Sequence, residues 1–181
     1  AQLIGQLEPI NGLKRLRYTT SHPYDLSDEL IAVHASSKKL ANNLHLPVQS
    51  GSNSVLERMR REYSIEHYMD RVARLRAANP NLTISTDIIV GFPNETEEEF
   101  QSTIELLNRI RYDSIYSFKF SPRDGTNAAK IKDSLTEELR SRRLQLVQKR
   151  QLEIQAEDRI RMVGQRFEVL VEGSKVMKGE L

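Results

Sequence analysis

Apolar and polar positions follow a recurring unit along this chain: a short stretch of period two, a cluster of small polar residues, then apolar residues at helical spacing. Residues 2–10 carry Leu3, Ile4 and Leu7, the end of a helix closed by Pro9. Residues 13–20 alternate as a strand, with Leu16 and Tyr18 on one side, and run into Thr19, Thr20, Ser21, His22 and Pro23. Asp25 or Ser27 can cap the next helix, expected to reach about Asn43 with Leu30, Ile31, Val33, His34 and Leu40 on its face. In the second unit Leu44, Leu46 and Val48 share one parity and His45 and Gln49 the other, before Ser50, Gly51 and Ser52 interrupt the run. Ser52 or Asn53 then caps a short helix bearing Val55, Leu56 and Met59, and Ser64 opens another bearing Tyr68, Met69, Val72 and Leu75 that Asn79-Pro80 stops.

Residues 82–90 form the most apolar strand and end in Gly91, Phe92 and Pro93. Thr96 and Glu99 make a capping box for a helix with Phe100, Ile104, Leu107 and Ile110 inward. Residues 113–120 read as a fourth strand, followed by the loop Ser121-Pro122-Arg123-Asp124-Gly125-Thr126. Strand, polar rim and helix, repeated four times, indicate an α/β protein: a partial parallel (β/α) barrel of about four strand-helix units. In such folds ligands bind at the C-terminal ends of the strands, where these polar rims fall.

The remainder differs in kind. Ser134-Leu135-Thr136-Glu137 reads as a capping box for a long charged helix over about 136–158, with Leu139, Leu146 and Ile154 among its buried positions. Residues 166–171 alternate as one more strand, with Phe167, Val169 and Val171 on one face, before a Gly173-Ser174 turn. One strand cannot make a domain, so the expected organisation is residues 1–160 as the C-terminal part of a barrel lacking its N-terminal strands, and 161–181 as the truncated beginning of a small β module. An open half barrel leaves strand edges unpaired, from which marginal stability or self-association is expected.

Composition narrows the chemistry. With 27 basic and 25 acidic residues the net charge is only +2, so bulk charge does not select a nucleic-acid partner and local clustering must. The chain has no cysteine, which removes disulfides, thiol nucleophiles and thiolate-held clusters from what it can do alone. His22, His34, His45 and His67 are scattered without metal-ligand spacing. No apolar run approaches the roughly 18 residues of a membrane span, and no signal pattern opens the chain, so a cytoplasmic protein is expected.

The strongest polar constellation joins Gln49 and Ser50 after the second strand, Arg61 beyond them and Asp87 within the third. A carboxylate and an amide converging on one rim can hydrogen-bond a ribose diol, and an arginine can hold a carboxylate through two parallel bonds. Equally, Asp87 can serve neighbouring backbone groups, and Arg61 can be a solvated cation favoured by a helix end. Gly91 admits a ligand ring or simply makes a turn; Arg123 on its loop suits a phosphate or solvent; Phe118 and Phe120 share one face.

Three motifs, in order, carry a family resemblance: Leu46-Pro47-Val48-Gln49-Ser50-Gly51-Ser52 with the following Val55, Leu56, Met59 and Arg61; Thr86-Asp87-Ile88-Ile89-Val90-Gly91-Phe92-Pro93 with Glu95 and Thr96; and Tyr116-Ser117-Phe118-Lys119-Phe120-Ser121-Pro122-Arg123 with Gly125 and Thr126. Together with the Thr19–Pro23 rim they resemble the radical-SAM methylthiotransferases, most closely the MiaB-type tRNA enzymes, over nearly the whole chain.

The resemblance implies a (β/α)6 barrel in which cluster-bound S-adenosylmethionine is cleaved to a 5′-deoxyadenosyl radical. It also implies insertion of a methylthio group at C2 of N6-dimethylallyladenosine beside the tRNA anticodon. It assigns Gln49 and Asp87, with Ser50 on the same rim, to the ribose, Arg61 to the methionine carboxylate, and Ile89, Gly91 and Phe118 to the adenine. The segment from about Gly164 resembles the first strand of a TRAM module, making Arg159, Arg161, Arg166 and Lys175, with Arg123, candidate contacts to the anticodon stem-loop.

Two 4Fe-4S clusters belong to the family pattern, one on a C-x3-C-x2-C loop and one in an N-terminal domain; neither region is recognisable here. The chain is therefore expected to be an inactive scaffold half of a parent enzyme that is monomeric at full length, completed by a missing N-terminal portion of the same polypeptide. Threonylcarbamoyladenosine- and ribosomal-protein methylthiotransferases share the barrel, and a non-catalytic RNA-binding module remains the reading from another class.

Overall fold

The computed structural model describes residues 1–19, 22–167 and 169. Three parallel strands, β1 (Asn43–His45), β2 (Thr83–Val90) and β3 (Ser114–Lys119), form a sheet in the order β1-β2-β3. Between them lie α3 (Asn53–Arg58) and α4 (Ile65–Ala78), then α5 (Glu97–Ile110); α1 (Gln2–Leu7) and α2 (Asp28–Ser36) precede the sheet and α6 (Glu137–Met162) follows it. Parallel neighbours need a crossover of this kind, which is the helical stretch the periodicity indicated.

The helices begin where short polar side chains can take up an orphan backbone donor. Ser27, Ser52, Ser64, Thr96 and Thr136 each accept from the amide three residues on. Only Thr96 is reciprocated: the Glu99 amide donates to its hydroxyl at 3.2 Å while the Glu99 carboxylate accepts from the Thr96 amide at 2.9 Å. Thr96→Ala is expected to cost about 1 kcal/mol, read as a lower urea midpoint with an unchanged slope.

One face of the sheet is closed. Leu44, Leu46, Val48, Ile84, Ile88 and Val90 are buried in one cluster with Tyr68, Val72 and Leu75 of α4, Phe100, Leu107 and Ile110 of α5, and Val147 and Ile154 of α6. The other face, bearing His45, Asp87, Ile89, Tyr116 and Phe118, is partly open. It is the concave side of a partial barrel, and it directs those residues toward the rim.

Several sequence expectations are corrected. Residues 13–19 form no strand: a single parallel bridge joins Leu16 to Leu40, with the Leu16 amide donating to Lys39 and its carbonyl accepting from Ala41. Leu40 is free to do this because α2 stops at Ser36, not near Asn43; the Ser37 hydroxyl accepts from the Lys39 and Leu40 amides and donates to Glu8, turning the chain. The strand of the first of the four expected units is thus reduced to a bridge.

The cap of α6 is Thr136, while Ser134 instead bonds Asn94. Leu146 is 40% exposed, and the buried stripe of α6 is Arg143, Val147, Gln151 and Ile154, because the helix lies on polar groups: Gln151 donates to the Tyr112 carbonyl at 2.7 Å. Arg166, Phe167 and Val169 carry no regular structure where a strand was expected, and Phe167 and Val169 are exposed. The rest of that strand, the Gly173-Ser174 turn and Lys175 lie outside the described residues, as do Thr20 and Ser21. Among the described residues no helix is long and apolar enough to cross a membrane.

Candidate functional site

The ladder between β1 and β2 slips by one residue at its C-terminal end. His45 pairs with Ser85 but Gln49 pairs with Ile88, so four steps on one side face three on the other. Such a bulge leaves backbone groups without ladder partners. Pro47 brings no amide to satisfy, and the Thr86 hydroxyl stands in for the missing ladder, accepting from the Val48 amide at 2.9 Å and donating to the Leu46 carbonyl at 2.8 Å. Tyr68 donates to that same carbonyl, and Tyr63 to those of Val48 and Pro47. Burial pushes the Tyr63 hydroxyl up to about 12, so it remains a donor. Past the bulge Gln49 takes a left-handed φ of 70°, its amide donating to Asp87 and its carbonyl accepting from Ile89.

This arrangement opens a cavity of about 710 Å³ at the C-terminal ends of the strands, lined by Gln49, Arg61, Asp87, Ile89, Phe118 and Arg123 among others. Asp87 is the single carboxylate among the described residues of the lining. His45, deeper on the same face, holds it: Nε2 lies 3.4 Å from Asp87 Oδ1, while Nδ1 bonds the Ser85 hydroxyl at 3.0 Å and the ring meets Tyr116 edge-on.

The cavity's cations divide into two sets. Arg58 is neutralised by two bonds to Glu99, which the guanidinium holds down at about 2; Lys119 pairs with Glu137; Arg60 faces the Asn127 side-chain amide, whose oxygen accepts from it at 2.7 and 2.9 Å when the amide is turned to satisfy both groups. Arg61 and Arg123 have no ion partner among the described residues. Two guanidiniums and the Gln49 amide without partners among the described residues, one carboxylate, and apolar side chains including Ile89 and Phe118 suit a zwitterionic ligand with hydroxyls and a flat ring.

Two candidates fall elsewhere. Ser50 is fully buried, its hydroxyl accepting from the Ser52 amide, and does not reach the cavity. Gly91 has a φ of +67°, but the space beside it is filled by Arg140, whose Cγ lies 2.4 Å from where a Cβ would stand and whose Nε donates to the Gly91 carbonyl. That glycine admits an arginine, not a ligand ring.

Arg159 and Arg161 sit at the far end of the sheet: α6 begins beside Lys119 and ends beside Asp113, where Gln155 donates to the Asp113 carbonyl and Arg111 pairs with Asp158. Arg161 also pairs with Asp158, and Arg166 is exposed. Met59 and Thr126, which stood in the quoted motifs, also line the cavity; Arg60 and Asn127 line it without any sequence signal, since a lining position shows neither periodicity nor a motif of its own. His45 did carry one, its shared parity with Gln49.

Residues 2–107 match the model of the Radical SAM superfamily, with which a partial parallel barrel and a cavity at its strand ends agree; the chain belongs to that superfamily. Among its relatives is the tRNA-2-methylthio-N(6)-dimethylallyladenosine synthase of Carboxydothermus hydrogenoformans, 48% identical over 173 residues, covering 96% of this chain and 39% of the relative. Proteins of the same name from Acidithiobacillus ferrooxidans and Hahella chejuensis are 53% and 44% identical, over 83% and 100% of this chain and 33% and 41% of theirs. The chain thus spans about two fifths of the curated relatives it matches.

Proposed function

We propose that the chain is the C-terminal part of the radical-SAM barrel of a tRNA methylthiotransferase acting on N6-dimethylallyladenosine, in a longer, cytoplasmic and monomeric enzyme. The observation that carries this reading is the convergence of Gln49, Asp87 and the unpaired Arg61 on one cavity at the strand ends. The names of the relatives and their greater length support it.

The residues present fit S-adenosylmethionine. Arg61 would grip its carboxylate through two parallel bonds, Asp87 and Gln49 its ribose hydroxyls, and Ile89 and Phe118 would flank its adenine. When bound, S-adenosylmethionine supplies the radical chemistry; these side chains bind and orient it, with His45 fixing the rotamer of Asp87. Arg123, on the opposite wall, would meet a phosphate of the anticodon loop. The residues do not fit an iron–sulfur cluster: the chain has no cysteine, and no described group of His, Asp and Glu could hold a metal. Both 4Fe-4S clusters of this reading belong to the remainder of the longer protein, and residues from about 161 onward, with Arg159, Arg161, Arg166 and Lys175, to the start of its RNA-binding TRAM module.

Asp87→Ala in the longer protein is expected to weaken S-adenosylmethionine binding by about ten- to a hundredfold, the worth of a hydrogen bond to a charged group. Equilibrium dialysis with labelled S-adenosylmethionine measures it, and an unchanged affinity sinks the assignment.

A further inference from the structure

The opposite edge of the sheet holds a second, separate groove. Lys14, Arg15 and Arg17 from the segment before α2 meet Lys38 and Lys39 from the segment after it, around a hollow of about 440 Å³ that ends at Asn42 and Asn43, where β1 begins. Among the described residues no acidic one lines it. Residue 43 is at the N-terminal end of its strand and the proposed S-adenosylmethionine cavity lies at the C-terminal ends. The eight residues of β2, at about 3.3 Å each, put the two sites on the order of 25 Å apart.

The charges in this groove are held together by the fold and are offset among the described residues only by Glu8 at its border, which attracts Lys39. The Leu16 amide donates to the Lys39 carbonyl at 2.7 Å and the Ala41 amide to the Leu16 carbonyl at 2.8 Å, which locks the two basic segments side by side. Several arginines elsewhere are paired: Arg58 with Glu99, Arg71 and Arg74 with Asp28 and Asp70, Arg111 with Asp158. In the groove none of the five forms an ion pair among the described residues; Lys39 donates to the Ile10 carbonyl. The one carboxylate at its border, Glu8, is engaged by the Ser37 hydroxyl and the Lys38 amide, and those bonds keep its pKa below the usual range. Five like charges side by side raise the local positive potential and draw an anion to the site.

We infer that this groove is a phosphodiester-binding surface, a second contact to the RNA substrate remote from the chemistry. Closely spaced arginine and lysine around asparagine amides, with no apolar lining beyond Leu40 and Ala41, match a backbone of evenly spaced phosphates and not an amphipathic peptide. The groove lies at the end of the sheet away from the modified base, so it grips a part of the RNA distant from the anticodon loop and adds affinity without reading sequence. The inference rests on the reading of the protein as a tRNA enzyme, and the test separates the two.

The experiment is tRNA binding by the longer protein across a salt series, comparing wild type with Lys14→Gln/Arg15→Gln/Arg17→Gln and with the charge-conserving Lys14→Arg/Arg15→Lys/Arg17→Lys. Loss of about three phosphate contacts should lower the salt slope by about 2–3 and weaken binding at least tenfold, while the charge-conserving variant stays near wild type. Circular dichroism and the charge-conserving variant guard against a folding defect. If wild type binds tRNA and the glutamine variant keeps the same slope and affinity, the groove is not an RNA contact. If wild type does not bind tRNA at all, the tRNA reading itself falls. If the glutamine variant loses anionic-vesicle binding and keeps tRNA binding, the groove serves a membrane surface and the inference is overturned.

Discussion

Arg143→Ala is expected to cost about 3–5 kcal/mol of stability, the largest loss from any single side chain of α6. Arg143 and Glu95 form a buried ion pair, with side chains 3% and 0% exposed and Nη1 2.9 Å from Oε2. The same nitrogen donates to the Glu95 carbonyl at 2.8 Å, Nη2 reaches Glu97, and the guanidinium stacks over Phe100. Removing it leaves a buried carboxylate held only by the Gly91 amide, with Oε1 already without a partner. Burial raises the pKa of Glu95 even with Arg143 present, so the folded state binds this proton more tightly than the unfolded one.

The sign of the pH dependence follows. At this site stability is greatest below the unfolded pKa of 4.5 and falls as pH rises through the raised folded value. Arg143→Ala removes two of the influences that lower that pKa, so its penalty should be largest at about pH 7 and shrink toward about pH 4. Urea unfolding at both values measures it. Adding Glu95→Gln to Arg143→Met should recover much of the loss, since no buried charge is then left over. A penalty that grows on acidification would show that the pair is not what the substitution breaks.

Gly51→Ala is expected to cost about 1–3 kcal/mol and, with it, the geometry of the cavity wall. A Cβ on Gly51 would lie 2.4 Å from the Ser102 carbonyl oxygen and 2.5 Å from the Thr103 Cα, both backbone atoms of α5 that cannot swing away. The Gly51 amide also donates to the Thr103 hydroxyl at 2.9 Å, tying the turn to the helix. The alanine must push the turn off α5, and Gln49, two residues earlier, moves with it. Gly125→Ala is the control: φ is +81° but nothing lies within 4 Å, so only the left-handed backbone is penalised, by about 1 kcal/mol. Thermal melts of both separate close packing from backbone strain. Equal losses would mean that α5 yields and that the contact does not define the turn.

The elements were legible in the sequence wherever their cause is local. A serine or threonine three residues before a waiting amide caps a helix whatever lies around it, and Ser64, Thr96 and the stop at Asn79 stood where the pattern indicated. The apolar parities of residues 44–48 and 82–90 likewise chose the buried face of the sheet. Local signals failed where two segments competed for one residue. Leu40 fits the helical face of α2, yet Ser37 turns the chain and releases it to pair with Leu16. Ser134 makes as good a box with Glu137 as Thr96 does with Glu99, but Asn94 claims it from across the chain.

The candidate site divides in the same way. By itself the sequence determined which residues stand at the strand ends, Gln49, Asp87, Ile89, Phe118 and Arg123, because strand parity and rim position depend on neighbours in the chain. Only the tertiary structure decided how they act. The bulge that turns Gln49 beside Asp87 exists because Thr86, Tyr63 and Tyr68 answer its backbone groups. Ser50 and Gly91 drop out because Ser52 and Arg140 occupy their open sides. Basic residues that look alike in sequence part company by counter-charge: Arg58 is silenced by Glu99, while Arg61 and the groove at Lys14 form no ion pair among the described residues. Hydrogen bonds and ion pairs weaken steeply over a few ångströms, so partners far apart in the chain count only once the fold has brought them together.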